Sequence, residues 1–286
     1  MTTVASSDRH GPLGALVGEL RKLPAFVRRD FIVAWSYRLP FVGDWVGLVL
    51  QAFMFYFVGL MVDESKLPTF GGSQVSYLEF VAVGIAMSAF ITLALGRVAS
   101  GMQQEQFAGT LESLLMTPTS PATVQLGSVV YDLIYIPIRT AVFLVVIAVA
   151  FGLDFHLDGL LPAAVVLLAF IPFVWGLGIA SAGTTLTFRR GSGIVGLGST
   201  VLVLFSGAYY PLDLLPGWLA TLAEGNPITI AVDGMREPLL AGSGWEGIGT
   251  AILVLVPLSA VSLTAGALVF RACLRRERRR GTLGLY

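Results

Sequence analysis

The chain has 286 residues, of which 55% are hydrophobic and 13% charged, against roughly 25% charged residues in an ordinary soluble domain. With a mean hydropathy of +0.80, it has too few charges to cover the surface of a water-soluble enzyme, and that class is excluded. The formal net charge is zero, so bulk charge implies no nucleic-acid partner.

The first 40 residues are polar and basic with no apolar run near the start, so no cleavable signal peptide is expected. Residues 13–38 interleave Leu20, Val27, Phe31 and Trp35 with Arg28, Arg29 and Arg38. This mixture suits a helix lying in the membrane interface, broken or bent at Pro24. A basic flank that only fixes topology explains it equally well. Residues 1–40 are therefore expected to form a cytoplasmic N-terminal region.

A bilayer-spanning helix needs about 20 largely apolar residues. Six stretches meet that length: residues 41–62, 78–100, 127–151, 160–188, 191–210 and 247–270. The predicted fold class is thus all-α integral membrane, with six transmembrane helices in a domain over 41–270 and a basic tail over 271–286. Asp44 falls near the cytoplasmic end of the first span, and Arg97 anchors the end of the second.

Between spans two and three, residues 103–125 contain QQEQFAGTLESLLMTPTSPA. Phe107, Leu111, Leu114 and Leu115 recur at helical spacing, and Thr117-Pro118 is a stop signal. An amphipathic helix here, over about 103–117, has an apolar face to bury. It has no Lys or Arg to hold anionic lipid, which favours a protein partner over the membrane surface.

Asp132 and Arg139 interrupt the third span, two helical turns apart. Ionisable groups inside a span are costly and point to function by default. A proton relay is one reading, and structural pairing with other elements is the favoured one. After this span comes DFHLD, with Asp154, His156 and Asp158, which reads as a solvated acidic turn in preference to a weak metal site. The fifth span opens with GSGIVGLGST, whose glycines suit close helix packing better than phosphate binding.

Before the last span lies PLDLLPGWLATLAEGNPITIAVDGMREPLLAGSG, apolar yet cut by Pro216, Gly217, Gly225, Pro227, Gly234 and Pro238. Asp213 and Asn226 are candidate N-caps, with Pro227 at a first helical position and Gly225 ending the helix before it. Two short helices over about 212–240, dipping into the outer leaflet, are expected.

Fifteen of the 18 basic residues fall in the two termini, at Arg97 or at Arg189–Arg190. By the positive-inside rule both termini face the cytoplasm, as an even number of spans requires. The only lysines are Lys22 and Lys66, and neither follows glycine, so no P-loop exists in this chain. One cysteine, Cys273, and two distant histidines, His10 and His156, speak against a metal centre or nucleophilic catalysis.

Two stretches carry a resemblance to a known family. QEQFAGTLESLLMTPTS, residues 104–120, is similar to the E-x-x-x-G-T-L-E-x-L-L-x-T-P pattern of ABC-2 type permeases. FSGAYYPLDLLPGWLATLAEGNPITIAVDGMRE, residues 205–237, is similar to their S-G-x-x-x-P-x-x-x-L-P…N-P-x-x-x-x-x-D-G-x-R pattern. The class includes daunorubicin-resistance and O-antigen exporters.

The resemblance implies that Glu105, Gly109, Thr110, Leu111, Glu112, Leu115, Thr117 and Pro118 form a coupling helix docking on a separate P-loop ATPase. Phe107, Leu111 and Leu115 would fill its groove, and Glu112 would meet a basic group. The N-terminal helix resembles the family's connecting helix. The outer element with Pro211, Pro216, Asn226, Pro227, Asp233, Gly234 and Arg236 resembles its re-entrant pair. The pathway would be lined by spans one, two and five, which here offer Phe53, Phe57, Met87, Phe90 and Phe205.

The implied protein is the membrane subunit of an ATP-driven exporter in the plasma membrane, moving a hydrophobic small molecule, drug, natural product or lipid. It would have no ATPase motif and no cofactor of its own, ATP and Mg being held by the partner ATPase. A second permease copy or paralogue and membrane lipids are the other expected partners. Export of a lipid-linked polysaccharide is the closest alternative. A proton-coupled secondary transporter is the more distant one.

Overall fold

The computed structural model describes residues 21–72, 74–107, 121–187 and 191–280. Every regular element among them is helical. Helix α1 (Leu23–Ser36) has Pro24 in its first turn, where a missing N–H costs no hydrogen bond. Of the stretch 13–38, residues 13–20 lie outside the described residues, and the helix begins at Leu23 with Pro24 beside its start. A bend follows at Tyr37, whose backbone (φ −97°, ψ 69°) leaves the helical region before α2 (Arg38–Gly59).

Helix α3 (Tyr77–Phe107) is opened by a capping box. The Ser76 N–H donates to Glu79 Oε2 at 2.8 Å, and the Glu79 N–H donates to Ser76 Oγ at 3.3 Å. The helix then continues without a break for 31 residues, about 46 Å at 1.5 Å per residue. Residues 103–107 are its last turn, so the separate helix expected to begin at 103 does not begin there. The apolar run of span two simply hands over to a polar run with the same helical propensity.

The remaining helices are α4 (Pro121–Phe151), α5 (Leu160–Thr187), α6 (Gly191–Leu204), α7 (Gly217–Glu224), α8 (Pro227–Ala241) and α9 (Gly249–Arg280). Five helices among the described residues are long and apolar enough to cross a membrane, over Val42–Gly59, Tyr77–Gly96, Val130–Phe151, Leu157–Thr184 and Gly249–Arg276. The stretch expected as span five is helical only over Gly191–Leu204 and proceeds through turns to Tyr210.

Helix α5 is the centre of the bundle and meets α3, α6, α8 and α9. Its contact with α9 is a close seam rich in small residues. Ser259 Oγ donates to the Ala169 carbonyl at 2.7 Å and Ser262 Oγ to the Phe173 carbonyl at 2.8 Å. A Cβ added at Gly176 would collide with the Ser262 backbone, and one at Gly266 with the Gly176 carbonyl. Residue numbers rise together along both helices, so α5 and α9 run parallel. Dispersion and hydroxyl–carbonyl bonds at this close approach hold the pair where lipid supplies no hydrophobic drive.

Around this pair Phe90, Phe170, Phe143, Ile85 and Met87 form the buried core. Helix α2 stands at the periphery, touching the bundle through Leu48 and Ala52 and leaving Leu50, Met54 and Phe57 exposed.

Candidate functional site

At one end of the bundle the start of α3, the end of α6 and the middle of α8 converge on a single arginine. Arg236 is 1% exposed. Its Nε donates to the Phe80 carbonyl at 3.1 Å, one terminal nitrogen to the Gly207 carbonyl at 3.0 Å, and the other to the Ala208 carbonyl at 3.0 Å. A fourth bond goes to Asp233 Oδ1, one turn back on the same helix, at 3.1 Å. The planar fork of an arginine can reach carbonyls on different elements at once, which a point-charge ammonium cannot.

The guanidinium keeps its charge despite its burial. Burial pulls the Arg236 guanidinium down to about 10, with the Asp233 charge opposing, so it remains a cation at neutral pH. The half-exposed carboxylate of Asp233 and three backbone dipoles replace its lost water.

The carbonyls that Arg236 collects belong to a chain that has just left a helix. Gly207 has a left-handed backbone (φ +65°), which turns the segment of residues 205–210 out of α6. Gly84 of α3 lets this turn come close, since a Cβ there would collide with Ala208. Asn226 completes the arrangement. Its Nδ2 donates to the Leu202 and Phe205 carbonyls at 2.8 and 3.2 Å, while its Oδ1 accepts the Ile228 N–H at 3.0 Å. One side chain therefore caps the end of α6 and the start of α8 together.

Several expectations for this element hold. Asn226 is the N-cap of α8, Pro227 follows in its first turn, and Gly225 closes α7. Asp213 is not an N-cap. It lies inside the 3-10 turn Leu212–Leu214, and Pro216 holds the cap position of α7. Pro216 forces Leu215 into an extended backbone (ψ 150°), which pushes the helix start past the aspartate. Pro211 likewise precedes the 3-10 turn.

Neighbouring groups fasten to the same end. Tyr77 Oη donates to the Tyr209 carbonyl at 3.0 Å. The Asp154 N–H donates to Glu79 Oε1 at 3.1 Å and the His156 N–H to the Leu239 carbonyl at 2.9 Å. The DFHLD turn thus seals the bundle end, and among the described residues no group of three metal-ligating side chains occurs. Helix α7 lies outermost, with Trp218 and Leu222 about 70% and 66% exposed.

Other expected residues are not brought to this site. Met87 and Phe90 are fully enclosed by the bundle, Phe90 against Phe170, so they line no path in this conformation. Phe53 and Phe57 stay on the open side of α2, and Phe205 is half-buried near the turn. The buried Arg139 donates to the Asp44 carbonyl at 3.1 Å and lies 6.0 Å from the Trp45 ring centre, so it fastens α4 to α2. Gly196 and Gly198 face open space and make no close helix contact among the described residues. The tight seams fall on Gly176, Gly183 and Gly266 instead, whose role the sequence does not distinguish from that of the other glycines. Glu105 and Phe107 lie in the last turn of α3, whereas Gly109, Thr110, Leu111, Glu112, Leu115, Thr117 and Pro118 lie outside the described residues.

Comparison with known proteins points one way. Residues 21–240 match the family model described as ABC-2 type transporter. The chain is 23% identical over 229 residues to the probable doxorubicin resistance ABC transporter permease protein DrrC of Mycobacterium tuberculosis, covering 75% of this chain and 79% of the relative. It is 24% identical over 221 residues to the daunorubicin resistance ABC transporter permease protein DrrB1 of Streptomyces coeruleorubidus, covering 75% and 72%. It is 25% identical over 203 residues to the linearmycin resistance permease protein LnrN of Bacillus subtilis, covering 70% of this chain and 51% of the relative.

Proposed function

This chain belongs to the ABC-2 type transporter family, and from that premise we propose that it is the permease subunit of an ATP-driven exporter. Its cargo is a hydrophobic small molecule of the drug or natural-product class, or a lipid. The observation that carries this reading is the family match itself, which takes in α1, the loop after α3 and the arginine-centred outer element in one span. Relatives named for resistance to doxorubicin, daunorubicin and linearmycin support the cargo class.

In this reading the chain crosses the membrane six times. The parallel course of α5 and α9 supports the count: between two crossings in one direction the chain must return once. Helix α6 makes that return. Its 14 residues span only about 21 Å, short of the roughly 30 Å hydrocarbon core. Asn226 and Arg236 then take up carbonyls that a longer helix would have satisfied internally. The basic termini lie in the cytoplasm, which puts the arginine-centred end outside.

ATP binding and hydrolysis fall to a separate P-loop subunit, with Mg at that subunit's site. Residues 105–118 are the coupling segment, in which Phe107, Leu111 and Leu115 enter the ATPase groove. The long α3 transmits the displacement of this segment to the outer end, where Phe80 meets Arg236. Two permease chains enclose the path, and Phe53 and Phe57 on the open face of α2 belong to its wall.

The test is co-purification of the full chain from its native membrane in mild detergent, with mass spectrometry of what accompanies it. A P-loop ATPase should co-purify with the natural chain and be lost with Leu111→Glu and Leu115→Glu. Absence of any ATPase, under conditions that preserve other membrane complexes, overturns the reading. Export of anthracycline-like dyes by the assembled complex, against none of lipid-linked polysaccharide, decides the cargo class.

A further inference from the structure

Helix α1 touches α4 at one end, where Gly127 leaves room for the Phe26 ring: a Cβ there would stand 2.6 Å from it. Beyond that contact the two helices enclose an open groove of about 870 Å³. Its walls are mostly aliphatic and carry two aromatic pairs. Phe31 and Trp35 stack on the α1 side with centroids 6.3 Å apart, and Tyr131 and Tyr135 on the α4 side at 5.5 Å. A single charge lines it, that of Arg28.

The cations of α1 and of the start of α2 differ in what they already hold. Arg29 pairs with Asp30 at 2.7 Å and lies 5.4 Å from the Phe26 ring centre. Arg38 lies 5.9 Å from the Trp35 ring centre. Arg28 is exposed and, among the described residues, has no anion beside it. An apolar trough with one unmatched cation at its wall has the complement of an anionic amphiphile. Acyl chains fit against the apolar walls and a phosphate against the guanidinium.

We propose that the groove between α1 and α4 is a binding site for one anionic phospholipid of the cytoplasmic leaflet, with its phosphate on Arg28 and its chains between the two aromatic pairs. The site rests on the placement of α1 at the membrane surface and is independent of cargo and ATPase. Zwitterionic lipids present a trimethylammonium or ammonium group beside the phosphate, which weakens the match to a lone cation. An acyl chain in the trough also covers apolar rings that would otherwise meet headgroup water.

The experiment is native mass spectrometry of the full chain in detergent, titrated with dioleoyl-phosphatidylglycerol or dioleoyl-phosphatidylcholine. One phosphatidylglycerol should be retained at least about tenfold more strongly than phosphatidylcholine. Arg28→Gln should remove that preference, and Ala34→Trp, which fills the groove floor, should lower retention of both lipids. Arg21→Gln, a cation of the same segment that does not line the groove, should leave the preference in place. Equal retention of the two lipids, or equal loss with Arg21→Gln and Arg28→Gln, overturns the proposal. So does an Ala34→Trp chain that keeps its lipid but loses its dimer, because the groove is then the seat of a second copy. Thermal unfolding of each variant separates these outcomes from simple misfolding.

Discussion

The guanidinium of Arg236 lies 3.6 Å from the centre of the Phe80 ring while its Nε donates to the carbonyl of that same residue. Two interactions of different kinds, cation–π and hydrogen bond, therefore tie one residue of α8 to one residue of α3. The same guanidinium spans to Gly207 and Ala208, so three separate chain segments share a single side chain.

Replacement of Arg236 should be costly, because each buried carbonyl left unmatched costs about 1–3 kcal/mol. Arg236→Ala should lower stability by at least about 3 kcal/mol on that scale, read as a large fall in the unfolding midpoint in detergent. Arg236→Lys should recover little, since an ammonium cannot reach the three carbonyls in the geometry of the fork. Full recovery by lysine would show that charge alone matters there.

Asn226 separates two roles that are usually confused. Asparagine and aspartate cap an isolated helix about equally well. Here Nδ2 also serves the Leu202 and Phe205 carbonyls. Asn226→Asp should therefore destabilise at least as much as Asn226→Ala, by roughly 2–3 kcal/mol from the lost cap-side donors. A neutral Asn226→Asp in thermal unfolding would reduce the residue to an ordinary N-cap.

The seam between α5 and α9 predicts opposite results for two glycines. Gly176→Ala places a methyl group against the Ser262 backbone and must force the helices apart. A loss of about 1–3 kcal/mol is expected, as in overpacked cores. Gly196→Ala meets open space among the described residues, so the higher helix propensity of alanine should leave the fold unchanged or stabilise it by up to about 1 kcal/mol. The two unfolding midpoints, compared side by side, check both statements.

Cys273 is the single cysteine and a natural reporter of sidedness. In intact cells it should react with a membrane-permeant maleimide and not with an impermeant one. Trp218→Cys, made in a Cys273→Ser background, should react with both, because α7 is exposed at the opposite end. The reverse pattern would invert the topology.

The elements legible in the sequence were those written in short-range terms. Spans one to four and six follow from apolar length, and the break at Gly225–Asn226–Pro227 follows from cap chemistry within three residues. The end of α6 at Leu204 was not legible. Nothing in the apolar run 201–205 marks a stop, and the turn is held by Asn226 and Arg236 more than 20 residues away. The roles of Gly176 and Gly266 were hidden likewise, because a glycine facing a helix and a glycine facing lipid look alike in sequence. Asp213 misled for the opposite reason: it carries a local cap signal that Pro216 redirects.

The parallel pairing of α5 and α9 has a consequence for biosynthesis. More than 60 residues separate Thr187 from the middle of α9, and all must be made before the seam can close. Until then the Gly176 face of α5, cut for another backbone, is bare to lipid. The last helix thus acts as the clasp of the subunit. A chain released before α9 would lack only its last helix and still present an open face for cellular quality control to recognise.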